Sequence, residues 1–392
     1  MTIYKKDKEL DRRIRYFIED YWDIFIGISA MALAFIFHTQ HDSMMATLFS
    51  AIGIAALSLT VAEVADILSE RLQEPYGSFV LTFSAVAVEI ILLYVILLEV
   101  RHSPEVLETV KGGIISAVIV DLNVLLGLAV FLGGLAYTQQ QHNKETSSAY
   151  STVLFVASSA LLVPGLLSHT EHGSAALTHV SHLIAGVLLL FYIIIFIFQT
   201  RTHTHFFKAT ARSRFFRLKR KLQEEEDAEI DENESSDYVF EHLSTPVNFA
   251  AIFGFIAIIA FGAEIFAGEG VHIAKEYGIS AGLAGLVIAI ISVSPEIFTA
   301  VRAARNDQIQ RVVNIAMGAS TVSIILTVPI LMMLAYMSGI NLTLDFNPLQ
   351  IGALLLTILL VWKTTDEGET NYFEGASHMM FFLSYAIIAA YY

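Results

Sequence analysis

Two glutamates lie in stretches of sequence that are otherwise apolar for about the length of a membrane-spanning helix. Glu296 lies near the middle of the run from about Ala281 to Ala304, directly after Pro295, and Glu89 lies in the run 78–100. A charged side chain in a bilayer core is costly, so its usual explanation is a function in binding or moving ions. A proline removes one helix hydrogen bond, and many transporters build a cation site beside such a broken helix. We therefore predict a helix break next to Glu296.

The alternative role for a buried carboxylate is structural, in an ion pair with a lysine or an arginine. The apolar segments of this chain hold no lysine or arginine away from their ends. A carboxylate without such a partner needs a bound cation or a proton instead. We therefore predict that Glu89 and Glu296 bind both the cation and the proton.

Glu63 and Glu264 form a second pair, and each lies closer to a membrane face than the first pair does. Each directly follows an alanine, and a short loop then leads to the segment that holds a deeper glutamate. We predict that these two residues line an access path or relay protons. The alternative is a solvated carboxylate at a helix end, which membrane interfaces tolerate.

Neutral oxygen atoms near the deeper glutamates would complete a site for Ca²⁺ or Na⁺. Ser292 lies four residues before Glu296, on the same helical face, and Ser84 lies five residues before Glu89. A lone serine in a helix more often bonds back to the preceding turn. Three polar residues of the fourth and ninth segments either add oxygens or hold helices together: Asp121, Asn123 and Asn314. The predicted oxygen ligands are Ser84, Ser292, Asn123 and Asn314.

Composition places these residues in a membrane protein. Of 392 residues, 55% are hydrophobic and only 16% are charged, which is typical of polytopic helical membrane proteins. The net charge of −15 argues against nucleic-acid binding, and the absence of cysteine excludes disulfides and cysteine-based zinc sites. We predict an all-α polytopic membrane protein with about eleven transmembrane helices, at 22–38, 45–66, 78–100, 112–137, 151–168, 179–199, 247–268, 280–303, 312–337, 349–362 and 374–391.

The order of the carboxylates divides the chain into two halves. Equivalent helices of the two halves cross the membrane in opposite directions, which defines an inverted repeat. The linker between them is basic and then acidic, and its acidic run, Glu224 to Glu234, is either a cation-sensing patch or a solvated spacer. The predicted organisation is a cytoplasmic N-terminus and first helix at 1–43, a five-helix repeat at 44–199, a cytoplasmic linker at 200–246 and a second five-helix repeat at 247–392.

At these residues the sequence resembles the cation/proton exchanger family of the Ca²⁺:cation antiporter superfamily, and bacterial ChaA-type Ca²⁺(Na⁺)/H⁺ antiporters in particular. The resemblance covers nearly the whole chain in its pattern of spans. It is most specific in three stretches: Ala62-Glu63 to Glu89, Ser294-Pro295-Glu296 to Asn306, and Gln310-Arg311 to Pro329. It implies that Glu89 and Glu296 carry the cation and the proton, and that the protein lies in a bacterial cytoplasmic (inner) membrane.

The chain departs from the family pattern directly before each core glutamate. Many family members carry Gly-Asn there, whereas this chain has Ala85-Val86-Ala87-Val88 and Ser292-Val293-Ser294-Pro295. Fewer side-chain oxygens mean looser coordination of a divalent ion, so Na⁺ and K⁺ stay open beside Ca²⁺.

The predicted function is therefore a secondary active antiporter that exchanges cytoplasmic Ca²⁺ for protons by alternating access at a glutamate pair. A Na⁺(K⁺)/H⁺ antiporter with the same site is the alternative. An intramembrane hydrolase is disfavoured because its motifs are missing, and a membrane scaffold without transport leaves the paired carboxylates unexplained. We predict no enzyme activity and no cofactor. The expected partners are the lipid bilayer and the transported cations and protons, with no nucleic acid; a homo-oligomer is possible.

The distribution of basic residues predicts the orientation. With the N-terminus in the cytoplasm, the inner segments hold 20 of the 23 lysines and arginines, and the outer loops hold only Arg101, Lys111 and Lys275. Such a bias is typical of cytoplasmic loops. A phosphatase that folds only outside the cytoplasm should therefore be active when it is fused after Tyr392. A reporter active there only in the cytoplasm would contradict the eleven-span topology.

Overall fold

Eleven helices cross the bundle in a computed structural model, in which residues 2–72, 76–167, 173–207 and 238–391 are described. All eleven are long and apolar enough to span a membrane, which confirms the predicted fold class. The acidic run of the linker lies outside the described residues. In chain order the helices are α1 (Thr2–Thr39), α2 (Ser43–Arg71), α3 (Tyr76–Leu98), α4 (Val106–Tyr137), α5 (Lys144–Leu167), α6 (Gly173–Ile197), α7 (Thr245–Tyr277), α8 (Ala281–Arg305), α9 (Ile309–Met337), α10 (Pro348–Thr365) and α11 (Tyr372–Tyr391).

Side chains in the short loops determine where several helices begin. The Asp42 carboxylate accepts a hydrogen bond from the Met45 amide at the start of α2. The Ser280 hydroxyl does the same for the Leu283 amide at the start of α8. These contacts satisfy backbone N–H groups that have no partner within the helix, which matters most where water is scarce.

Contacts between loops agree with an alternating direction of the helices. Strand β1 (Gln139–Gln141) follows α4, and strand β2 (Glu369–Asn371) follows α10; the two pair antiparallel. The loops after α4 and α10 therefore lie on the same face. Lys111 at the start of α4 forms an ion pair with Asp345, in the loop after α9, at 2.7 Å. The strand pair and the ion pair each join two segments that alternating spans would place on the same face of the membrane. The sequence did not predict the two strands.

The two halves share an irregularity in corresponding helices. Helix α4 contains a π-helical segment at Val120–Leu125, and α9 contains one at Ser323–Thr327. A π-helical turn widens the helix locally and is frequent at functional sites. Because α4 and α9 are each the third helix of their repeat, this match supports the predicted pairing of the halves.

The predicted break at Pro295 is wrong, because α8 is a continuous helix through this residue. Proline deprives the Ile291 carbonyl of its usual amide donor. The Ser294 hydroxyl donates to that carbonyl oxygen instead, at 2.8 Å. Local replacement of the missing bond explains why the helix continues, and a serine beside the proline is the signal that sequence analysis missed.

The segment that follows the linker is fastened to the first half of the protein. Arg71, at the end of α2, donates hydrogen bonds to the carbonyl oxygens of Phe240, Glu241 and Leu243. The amide of Val239 donates to the Tyr21 hydroxyl of α1 at 2.7 Å. The chain thus contacts α1 and α2 before it enters the membrane again as α7.

Glycines allow α4 and α8 to approach closely. A Cβ atom at Gly285 of α8 would lie 2.6 Å from the Gly113 amide nitrogen and 2.9 Å from the Thr109 carbonyl oxygen of α4. Membrane helices have no hydrophobic driving force toward one another, so close backbone packing of this kind holds them together. The contact fixes the helix that carries Glu296 against the π-helical helix of the other half.

We expect Gly285→Ala to destabilise the protein by about 1–3 kcal/mol, because backbone atoms cannot move away from the added methyl group as a flexible side chain would. The measurement is the midpoint of thermal unfolding of the purified protein in detergent. Gly186→Ala is the matched control, because nothing lies within 4 Å of a Cβ atom there and alanine favours a helix. Equal midpoints for the two variants would show that the contact is not tight.

Candidate ion site

Glu89 is a buried carboxylate on α3 that is held by two hydroxyl groups. Its side chain is 9% exposed. Oε2 accepts hydrogen bonds from Ser323 Oγ at 2.9 Å and from Thr327 Oγ1 at 3.0 Å. Both donors lie on the π-helical segment of α9. Hydroxyl donors orient a carboxylate without neutralising it, so Glu89 keeps the capacity to bind a cation or a proton.

Glu296 lies on α8 and has no comparable pair of hydroxyl donors among the described residues. Its Oε2 atom is buried without a hydrogen-bond partner in the described part of the chain. Glu89 and Glu296 border one small cavity of about 30 Å³, which has room for about one water-sized group. The structure therefore brings together the two glutamates that the sequence singled out, one from each half.

A larger cavity connects Glu296 with one face of the bundle. Its volume is about 460 Å³. Glu70, near the end of α2, and Arg311, near the start of α9, border it near that face, and Glu296 borders it deep in the bundle. Asp66 pairs with Arg311 at 3.3 Å, and both side chains are about half exposed. Three of these four side chains are acidic, which favours the entry of cations.

Glu63 borders the same large cavity, and its Oε2 accepts a hydrogen bond from the Tyr238 hydroxyl at 3.2 Å. Burial and the nearby Glu63 carboxylate raise the pKa of Tyr238, so the hydroxyl stays a donor. Glu264 differs from its counterpart, since it is an exposed residue of α7 and borders neither cavity. The structure thus brings Glu63, but not Glu264, to a path toward the core.

The predicted oxygen ligands lie in different environments. Ser292 borders the small cavity, and its hydroxyl donates to the Ala289 carbonyl oxygen. Asn314 borders the large cavity and accepts a hydrogen bond from Gln310. Ser84 is buried and borders neither cavity. The roles of these three side chains as ion ligands remain predictions.

Asn123 connects helices rather than facing either cavity. Its Nδ2 donates to the Thr357 hydroxyl of α10 at 2.9 Å, and its Oδ1 lies 3.0 Å from His378 Nδ1 of α11. Of the two roles that the sequence left open, this geometry matches the structural one.

Asp121 is an acidic residue for which the sequence left two roles open, an added oxygen ligand or a contact between helices. It lies in the π-helical segment of α4, is 1% exposed, and borders the small cavity together with both glutamates. Its position in the middle of an apolar span was a signal of the same kind as that of Glu89. The described residues contain no group of three or more histidine, cysteine, aspartate or glutamate side chains close enough to hold one metal ion. The carboxylates therefore border a shared cavity without forming a closed ligand sphere.

The family model for the sodium/calcium exchanger protein matches residues 43–201 and 247–391. The chain belongs to this exchanger family. The matched ranges are separated by the linker and correspond to α2–α6 and α7–α11. The first helix and the linker lie outside them.

Relatives with assigned activities cover most of this exchanger. The sodium-potassium/proton antiporter ChaA of Escherichia coli is 26% identical over 342 residues, which are 86% of this chain and 87% of that protein. A Ca²⁺/H⁺ antiporter of Aphanothece halophytica is 23% identical over 366 residues, 90% of this chain and 91% of that protein. Relatives that cover most of this exchanger are thus named as Ca²⁺/H⁺ and other cation/H⁺ antiporters.

Solved structures share the fold of the exchanger. Native YfkE has a TM-score of 0.75 at 20% identity, with 94% of this chain and 100% of that chain covered. The H⁺/Ca²⁺ exchanger CAX has a TM-score of 0.65 at 13% identity, with 94% and 91% covered. At such low identity the likeness concerns the fold alone.

The chain contains no cysteine, so single cysteines can report access to the large cavity. Thr82→Cys should react with a membrane-impermeant maleimide applied at the face on which α2 ends, because Thr82 borders that cavity. Ser84→Cys is the matched control two residues along the same helix. Ser84 is only 3% exposed, so its variant should remain unlabelled. Equal labelling of both variants, or labelling of Thr82→Cys only from the opposite face, would contradict the described path.

Proposed function

We propose that this exchanger is a secondary antiporter, not an enzyme, that moves cytoplasmic Ca²⁺ out in exchange for protons by alternating access. The main observation in support is that Glu89 and Glu296, from opposite halves, border the same cavity inside the bundle. A site at the junction of two inverted halves is reached from one face and then from the other as the halves rock against each other.

The large cavity supports one half of that cycle. It leads from Glu70 at the end of α2 to Glu296. The distribution of lysine and arginine puts that end of α2 in the cytoplasm. We therefore interpret the conformation as open toward the cytoplasm, with Glu63, Asp66 and Glu70 guiding cations inward.

The exchange follows from the charge of the two glutamates. An empty pair carries two negative charges, which one Ca²⁺ or two protons neutralise. Placing a charge at the centre of a bilayer costs at least about 2.5 kcal/mol on insertion scales, so an empty site reorients at least tenfold more rarely than a loaded one. Because loaded sites reorient far more often than empty ones, the movement of Ca²⁺ in one direction is coupled to the movement of protons in the other.

Na⁺ or K⁺ in exchange for protons is the second candidate function. Two observations favour it: the relative ChaA is named a sodium-potassium/proton antiporter, and the sequence before each core glutamate supplies few side-chain oxygens. Monovalent ions need less negative charge around them than Ca²⁺ does. The flux measurement below separates the two candidates.

The purified protein is reconstituted into liposomes, a pH gradient is imposed, and Ca²⁺, Na⁺ and K⁺ are offered in turn. We expect the gradient to drive uptake of Ca²⁺. Glu89→Gln and Glu296→Gln should each reduce Ca²⁺/H⁺ exchange at least tenfold, because one remaining carboxylate cannot neutralise a divalent ion. Glu145→Gln is the matched control, since Glu145 is exposed at the start of α5 and borders neither cavity. Wild-type rates in both core variants would exclude the glutamate-pair mechanism.

A further inference from the structure

The large cavity is bordered by two chemically different surfaces. Glu63, Asp66 and Glu70 lie three and four residues apart on α2, so they share one face of that helix and present carboxylates to the cavity. Another part of the wall comes from α5, α6 and α9 and is apolar and aromatic: Tyr150, Tyr192, Ile195, Ile315, Val322 and Ile325.

This combination suits a ligand that carries both a positive charge and an apolar body. Tyr192, Ile315 and Val322 border the cavity and are only partly buried. A hydrated metal ion gains nothing from such surface, whereas an apolar group that displaces water from it is stabilised. Four acidic side chains and one basic side chain, Arg311, border the cavity, which favours a cation. Its volume of about 460 Å³ lies within the range of about 300–1,000 Å³ that is usual for ligand pockets.

The way from this cavity to the inner site is narrow. Ala85, Val86, Glu296 and Ala319 border both cavities and therefore mark the point where the two meet. The inner cavity of about 30 Å³ has room for about one water-sized group. A bare metal ion or a proton fits there, and an aromatic ring does not. The large cavity thus accepts cations that the inner site excludes.

We propose that the large cavity binds amphiphilic organic monocations, in which an ammonium group is joined to an aromatic body, and that these ligands block exchange from the cytoplasmic face without being carried. The ammonium group lies at the acidic face of α2, and the aromatic body packs against Tyr192 and Ile315. The binding goes beyond the proposed function and does not depend on which ion is the cargo; only the block of exchange rests on that function.

The experiment uses benzyltrimethylammonium and everted membrane vesicles from bacterial cells that express the protein, in which the cytoplasmic face points outward. The probe is permanently charged because a protonatable amine would collapse the imposed pH gradient. We expect it to raise the Ca²⁺ concentration for half-maximal uptake and to leave the maximal rate unchanged, since both cations compete for one cavity. Radiolabelled probe should not accumulate in the vesicles above the level in vesicles that lack the protein.

Two related compounds separate the contributions of charge and apolar surface. Tetramethylammonium has the charge without the ring, and N,N-dimethylbenzamide has the ring without the charge. Each should block at least about tenfold less strongly than benzyltrimethylammonium, because each uses only one of the two surfaces.

Variants on two helices test the position of the ring. Tyr192→Ala and Ile315→Ala should each raise the inhibition constant of the probe at least about threefold, because each removes part of the apolar surface. Phe191→Ala is the matched control, since Phe191 directly precedes Tyr192 on α6 and borders neither cavity; its inhibition constant should equal that of the wild type. Each constant is corrected for the Ca²⁺ half-saturation of the same variant.

Absence of block, equal block by either related compound, unchanged inhibition constants in both Tyr192→Ala and Ile315→Ala, or accumulation of the labelled probe overturns the proposal. Failure of the proposed function looks different, because wild-type vesicles then carry no Ca²⁺ under the pH gradient. Binding is measured in that case by thermal unfolding in detergent. The probe should raise the midpoint of the wild type and of Phe191→Ala but not that of Tyr192→Ala, and an unshifted wild type overturns the proposal.

Discussion

The interior of this protein depends on carboxylates that no basic side chain neutralises. Glu89, Asp121 and Glu296 border one small cavity, and no lysine or arginine borders it in the described residues. In a medium of low dielectric constant such groups are stable only with bound positive charge or with protons. The surrounding helices therefore have to admit ions while they exclude bulk water, and the described cavities meet both demands: a wide acidic entrance and a small inner space.

Rigid placement of these groups comes from close backbone packing and from hydroxyl hydrogen bonds rather than from ion pairs. Gly285 lets α8 lie directly against Gly113 of α4. Glu296 and Asp121 are thereby held on two helices that cannot separate without losing a close contact. On the other side, Ser323 and Thr327 hold Glu89 from α9. Around the cavity, helices of one half thus pack against helices of the other half: α3 contacts α9, and α8 contacts α4.

Much of this arrangement follows from sequence, because a carboxylate in an apolar span is costly wherever it lies. That cost, together with the lack of a lysine or arginine inside the spans, identified Glu89 and Glu296. The hydrogen-bond partners of individual side chains were harder to predict. Ser294 preserves the helix at Pro295, and the direction of the Asn123 side chain, toward Thr357, depends on helices far away in the chain. The sequence could not show that Asp121 borders the same cavity as the two glutamates. Which side of α4 faces that cavity depends on how the helix packs against its neighbours.

The attachment of the chain after the linker has a consequence for the order of assembly during synthesis. Arg71 binds three carbonyl oxygens of the segment that leads into α7, and Tyr238 of that segment binds Glu63 of α2. These partners exist only once α2 has left the ribosome and entered the bilayer, which it does well before α7 is made. The partners of this segment in the first half are therefore already synthesised when the segment that leads into α7 emerges.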